Sequence, residues 1–112
     1  MVQRLRSDLQ VAAIQRAVEA EGLIFTVLHK GHEEGGLIHV KWVEGRMAQL
    51  FQERTVADER RWVASRPAPA MEAEVDGMIA GERDFDPDLW AVEVLGPLHA
   101  AERILRPVPV AT

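Results

Sequence analysis

The apolar residues of this chain change their spacing at Gly22, and that change limits the fold more than any other feature. Before it, Leu9, Ala13 and Ala17 form one apolar row with Val11, Ile14 and Val18 beside it, while Gln10, Gln15, Arg16 and Glu19 fall mostly off the stripe. Residues three and four apart share a helix face, so this is the pattern of an amphipathic helix. Ser7 and Gln10 have the spacing of a capping box at its start, and Gly22 suits the left-handed residue that ends it. After Gly22 the helical spacing is gone. Residues 23–30 and 37–43 are rich in β-branched and aromatic side chains and flank the glycine-containing segment 31–36. Read as a hairpin, they set His29 opposite Ile38, Val27 opposite Val40 and Phe25 opposite Trp42, all six on one sheet face.

Glu44-Gly45 marks a second turn, a third strand follows over 46–52, and the polar segment 53–59 reads as a loop. Residues 61–65 form a fourth strand with Trp62 inward. Pro67 and Pro69 then stop the sheet and start a second helix, because proline suits a first helical turn. Met71, Val75, Met78 and Ile79 give that helix its buried face. Trp90, Val92 and Val94 alternate with Ala91, Glu93 and Leu95 as a last strand; residues 98–105 form a short helix, and 106–112, with Pro107 and Pro109, a loose tail. A chain of 112 residues supports one core. The expected architecture is a single α+β domain, ordered over about 5–105. Its antiparallel sheet has four to five strands, with two helices packed on one face.

The chain has no cysteine, which excludes disulfides, zinc ribbons and thiol catalysis. A net charge of −5 argues against nucleic acid, since phosphate neutralisation needs clustered cations and only Arg4/Arg6 and Arg60/Arg61 offer any. The N-terminus lacks the apolar core of a signal peptide, and the strongest apolar run, 23–28, is too short for a bilayer. A cytoplasmic location without a membrane partner follows as the expectation.

Asp84, Asp86 and Asp88 have the spacing of the first three ligands of a calcium loop, but Leu89 stands where that loop needs glycine and Leu95 where it needs glutamate. A turn explains them better. Asp86 caps it, Pro87 fixes its first φ, Asp88 complements exposed N–H groups, and Phe85 with Leu89 or Trp90 clamps it to the core. His29, His32 and His39, with Glu33 and Glu34, have the chemistry of a zinc, manganese or iron site. The hairpin register sends His29 and His39 to opposite faces, so a shared ion needs a bulge. No metal or cofactor is assigned. Gly31, Gly35 and Gly36 do not make a phosphate cradle, because Glu33 and Glu34 repel phosphate and a strand follows. Ser7 and Ser65 lack a nucleophile elbow. Glu72, Glu74 and Asp76 read as a solvated helix start. Trp42, Trp62 and Trp90 read as core, with Trp62 beside Arg60 and Arg61 an interface candidate if exposed. The candidate binding residues are therefore Arg61, Trp62, Asp84, Asp86, Asp88 and Trp90.

The order Leu5-Arg6-Ser7-Asp8, Gly22, Gly36-Leu37-Ile38-His39-Val40-Lys41, Glu72-Ala73-Glu74-Val75 and Phe85-Asp86-Pro87-Asp88-Leu89-Trp90-Ala91-Val92-Glu93-Val94 resembles the small bacterial family called domain of unknown function 1491. The resemblance covers roughly residues 5–94, and the Phe-Asp-Pro-Asp-Leu-Trp run is its most specific part. Residues 51–60 and the tail after Leu95 depart from it. It implies a single bacterial cytoplasmic domain and brings no reaction, ligand or catalytic residue. The leading expectation is a non-catalytic binding or protein-interaction module, with a homodimer covering a sheet edge through an edge strand or an exposed tryptophan. The alternative is a small metal-dependent, hydrolase-like enzyme using Asp84, Asp86 and Asp88 with a histidine. An RNA-associated role for the residues near Arg61 ranks third.

Overall fold

The computed structural model describes residues 5–108; Arg4 and the end of the expected tail, 109–112, lie outside the described residues. Helix α1 spans Ser7–Ala20 and buries Val11 and Val18, with Ile14 packed beside them, while Leu9 remains half exposed. Its end follows the sequence signal. Gly22 has φ +77°, its N–H donates to the Glu19 carbonyl, and the Leu23 N–H reaches back to Val18. Those two bonds are the Schellman pattern, which glycine favours because it lacks a Cβ. Its start differs from expectation. Ser7 lies within the first turn, fully buried, and its Oγ donates to the Gly36 carbonyl at 2.5 Å. Gln10 Nε2 donates instead to the Leu5 carbonyl. Ser7 thus fastens the helix to the 31–36 segment.

Strands β1 (Ile24–His29), β2 (Ile38–Glu44), β3 (Met47–Val56), β4 (Glu59–Ala64), β5 (Ala70–Met71) and β6 (Trp90–Leu95) form one six-stranded sheet. The order is β1-β6-β2-β3-β4, with β5 pairing β3. The expected β1–β2 hairpin does not form, because β6 lies between the two strands, antiparallel to β1 and parallel to β2. Face parity nevertheless survives the insertion for two of the three expected pairs, His29 being shifted to the other face by a bulge. Phe25 pairs with Val94, which pairs with Trp42, and Val27 pairs with Val92, which pairs with Val40. The reason lies in burial. Trp90, Ala91, Val92 and Val94 of β6 are apolar towards both faces and need covered positions on both sides, while β1 tolerates exposure.

Helix α2 (Glu72–Phe85) makes the crossover into β6 that a parallel pair requires. The expected placement of two helices on one face is corrected here. α1 and the short helix α3 (Ala100–Ile104) cover the face bearing Ile38, Val40, Trp42, Phe51, Val92 and Val94. α2 covers the opposite face through Val75 and Ile79, against Val43, Ala48, Leu50 and Ala91. The alternation Ile38-His39-Val40-Lys41-Trp42 gives β2 an apparently wet side, yet His39 is 5% and Lys41 3% exposed beneath α2.

The expected loop over 53–59 is instead the tip of the β3–β4 hairpin. Ala57 and Asp58, with φ of 50° and 65°, are its two central residues. Positive φ at both positions is the geometry of a type I′ turn, which normally carries Asn-Gly. Pro67 and Pro69 precede β5, and α2 begins only at Glu72, so Met71 is a half-exposed strand residue and not part of the helix face.

Candidate functional site

The Gly-containing segment 31–36 and the turn at Asp86, Pro87 and Asp88 meet backbone to backbone. The His32 N–H donates to the Asp88 carbonyl at 2.8 Å, and the Trp90 N–H donates to the Leu37 carbonyl at 2.7 Å. A Cβ on Gly31 or Gly36 would sit 2.3 or 2.2 Å from the Asp88 carbonyl oxygen. These glycines therefore permit close approach of two chain segments, and the Trp90 indole N–H closes the junction on the His32 carbonyl at 2.8 Å. Beside it opens a cavity of about 300 Å³ lined by His32, Gly35, Gly36, Leu37, Asp86 and Asp88.

The expected turn is present. Asp86 Oδ1 accepts from the Asp88 N–H at 3.1 Å, and the Asp86 carbonyl accepts from Leu89. Leu89 and Trp90 are buried against the core, as the clamp required, but Phe85 is 94% exposed and clamps nothing. Asp84 lies exposed on the last turn of α2. Arg61 and Trp62 sit elsewhere, on β4. Arg61 is exposed, and Trp62 is half-buried with its ring against the α1-side core. The six candidate binding residues thus fall at two separate places in the fold.

The histidines are also redistributed. A bulge between Val27 and His29 pairs His29 with Ala91, which pairs on its other side with His39. They therefore share a row and a face, correcting the expectation of opposite faces, but stand roughly 10 Å apart across two strand spacings. His29 Nε2 is 3.4 Å from the Pro87 carbonyl. Among the described residues no three His, Asp or Glu side chains converge in a geometry that could hold a metal ion.

Beneath α2 lie two groups whose burial sequence patterning missed. Lys41 Nζ reaches Glu72 and Asp76 at 2.6 Å and Glu93 at 3.1 Å. Burial pulls its pKa down, but hydrogen bonds to Asp76, Glu72 and Glu93 outweigh that, and the pKa ends above the ordinary lysine value. His39 has a lowered pKa, chiefly through burial, which Glu82 and Asp86 oppose and Arg54 reinforces; its buried Nδ1 has no hydrogen-bond partner among the described residues. The apparent signal for both was ordinary β alternation, which cannot distinguish a wet face from one covered by a helix.

The two sheet edges contrast. β4 carries Glu59, Arg60 and Arg61, and its outer side is partly taken by Val108, whose N–H donates to the Trp62 carbonyl at 2.9 Å. β1 ends the strand order at the other side, and its segment Ile24-Phe25-Thr26-Val27-Leu28 carries no charge and no proline. Ile24, Val27 and Leu28 are 59%, 43% and 45% exposed. Edge strands are ordinarily guarded by charges, prolines or a covering segment, because their free N–H and C=O groups invite another strand. β1 has one such guard, its bulge.

Among the described residues no helix is long and apolar enough to cross a membrane. A crystal structure of a DUF1491 family protein from Caulobacter crescentus is 35% identical, with a TM-score of 0.77 over 83% of this chain and 89% of that one. An NMR structure of a DUF1491 family protein from Caulobacter crescentus is 32% identical, with a TM-score of 0.79 over 99% and 100%. The solution structure of protein Atu0922 from A. tumefaciens is 28% identical, with a TM-score of 0.83 over 98% and 99%. No curated protein matches the chain. The family model for DUF1491, a protein of unknown function, matches residues 5–100, and the chain belongs to that family.

Proposed function

We propose that this protein is a non-catalytic interaction module of the bacterial cytoplasm whose recognition element is the outer edge of β1. One observation carries the reading: an uncharged strand, with three apolar side chains each more than two-fifths exposed, terminates a sheet whose other edge is charged and partly covered. Strand addition at such an edge supplies affinity through main-chain hydrogen bonds and specificity through alternate side chains. His29 at the end of β1 lies beside the Pro87 carbonyl, so Asp86 and Asp88 border the same region and favour a partner with a cation there. Trp62 and Arg61 are proposed as a secondary contact at the opposite edge.

Native mass spectrometry on protein purified without chelator tests this. The expected spectrum, taken at high protein concentration, shows species heavier by whole polypeptide chains, reduced by Ile24→Lys. A wild-type protein carrying only a metal ion, lost in Asp84→Ala and Asp86→Ala, would replace the module with the metal-dependent hydrolase.

A further inference from the structure

We infer that the chain that adds to β1 is a second copy of this protein, paired antiparallel about a two-fold axis so that two sheets continue as one. This rests on the reading of β1 as the recognition element and names its partner. The first argument is self-complementarity. A two-fold antiparallel pair keeps the sum of facing residue numbers constant. Centred on Thr26, it sets Phe25 opposite Val27 of the second copy on both sides of a central Thr26–Thr26 pair, with Ile24 and the bulge residue Leu28 at the two ends.

Charge gives the second argument. Antiparallel pairing brings the end of β1 that carries Lys30, ion-paired to Glu33, towards the end that carries Glu21, ion-paired to Arg103, of the second copy. No like charges face each other between Ile24 and Leu28. A third argument comes from the sheet face beneath. α2 packs on β2 and β3, so Ile24 and Leu95, which pair across β1 and β6, remain 59% and 38% exposed. A second β1 laid alongside covers the rim of that strip.

The contact is small. One short strand lies below the roughly 800 Å² per partner of a standard interface, and the bulge after Val27 shortens its regular ladder. The association is therefore weak and reversible, visible only at high protein concentration.

Sedimentation velocity from about 10 μM to about 1 mM, the range where a weak interface becomes populated, is the test. Wild type is expected to pass from monomer towards dimer. Ile24→Lys, a change at an exposed side chain that places a charge on the edge, is expected to stay monomeric with an unchanged melting temperature. Thr26→Pro, which removes a strand N–H, gives a second route to the same loss. A wild type that stays monomeric throughout overturns self-pairing, as does a dimer indifferent to both β1 changes. In either case, titration with an extended peptide of alternating apolar residues ending in lysine decides the broader reading. Amide shifts confined to Ile24–His29 retain the β1 edge as a recognition element; their absence removes it too.

Discussion

Replacing Lys41 with methionine exposes how α2 is held on the sheet. The ammonium is 3% exposed and is shared by Glu72, Asp76 and Glu93, whose side chains are 39%, 54% and 17% exposed. Methionine fills nearly the same volume, so cavity formation contributes little. What remains is three carboxylates facing one another without their cation. Removing one partner of a buried ion pair costs about 3–5 kcal/mol, and the partial exposure of Glu72 and Asp76 reduces that to roughly 2–4 kcal/mol. For a chain of this size that is a fall in melting temperature of about 10–20 °C. Urea unfolding followed by circular dichroism at neutral pH measures it, with an unchanged m value as the check that the folded and unfolded states have kept their compactness. The deficit should shrink on acidification below the ordinary carboxylate range, where protonation relieves the repulsion. In the wild type, a raised lysine pKa gives stability that is complete below the unfolded value of 10.5 and is lost as pH rises through the folded value. A Lys41→Met protein within about 0.5 kcal/mol of wild type at neutral pH, the spread of ordinary surface changes, would refute the argument.

His39 predicts a second pH dependence of opposite sense. Its folded pKa lies below the ordinary 6.5, so below that pH the unfolded chain binds a proton that the folded chain resists. Stability should fall as pH drops from 6.5 towards the folded value, and a pH series of urea midpoints on His39→Gln should lack that component. At the β3–β4 turn, Ala57→Asn with Asp58→Gly relieves two positive-φ residues and should raise stability by about 1–2 kcal/mol, read from the urea midpoint. Glycine-to-alanine changes should split by site. Gly36→Ala drives a Cβ to 2.2 Å from the Asp88 carbonyl oxygen and should cost several kcal/mol, whereas Gly77→Ala meets nothing within 4 Å and should gain about 0.5–1 kcal/mol by thermal melts.

Local signals were legible in the sequence and long-range ones were not. Gly22 and the Val11, Ile14 and Val18 side of the α1 stripe needed only helical spacing and a left-handed cap, and both appear as read, whereas Leu9 and Ala13 of the neighbouring row are exposed. The β6 strand and the Asp86 turn were equally local. Neighbour choice was not. Phe25, Val27 and their partners specified a shared face, but parity alone cannot say whether another strand intervenes, and Val92 and Val94 fit between them without changing it. His39 and Lys41 disguised the second buried face because a polar residue in alternation reads as solvated, and Lys41 becomes tolerable inside only through acids brought by α2 and β6. The Ala57-Asp58 turn was hidden because its residues are not those the geometry prefers. The functional residues divide in the same way. Asp86, Asp88 and Trp90 announced a turn, whereas the exposure of β1 depends on which strand ends the sheet, a property of the whole topology.

The most direct test of the β1 edge is to dilute uniformly labelled protein from about 1 mM to about 20 μM, across the range expected of a small interface, and follow every backbone amide resonance. Concentration-dependent shifts should concentrate on Ile24–His29 and vanish in Ile24→Lys. Shifts centred instead on Glu59–Ala64, around Arg61 and Trp62, or no shifts at all, would contradict it.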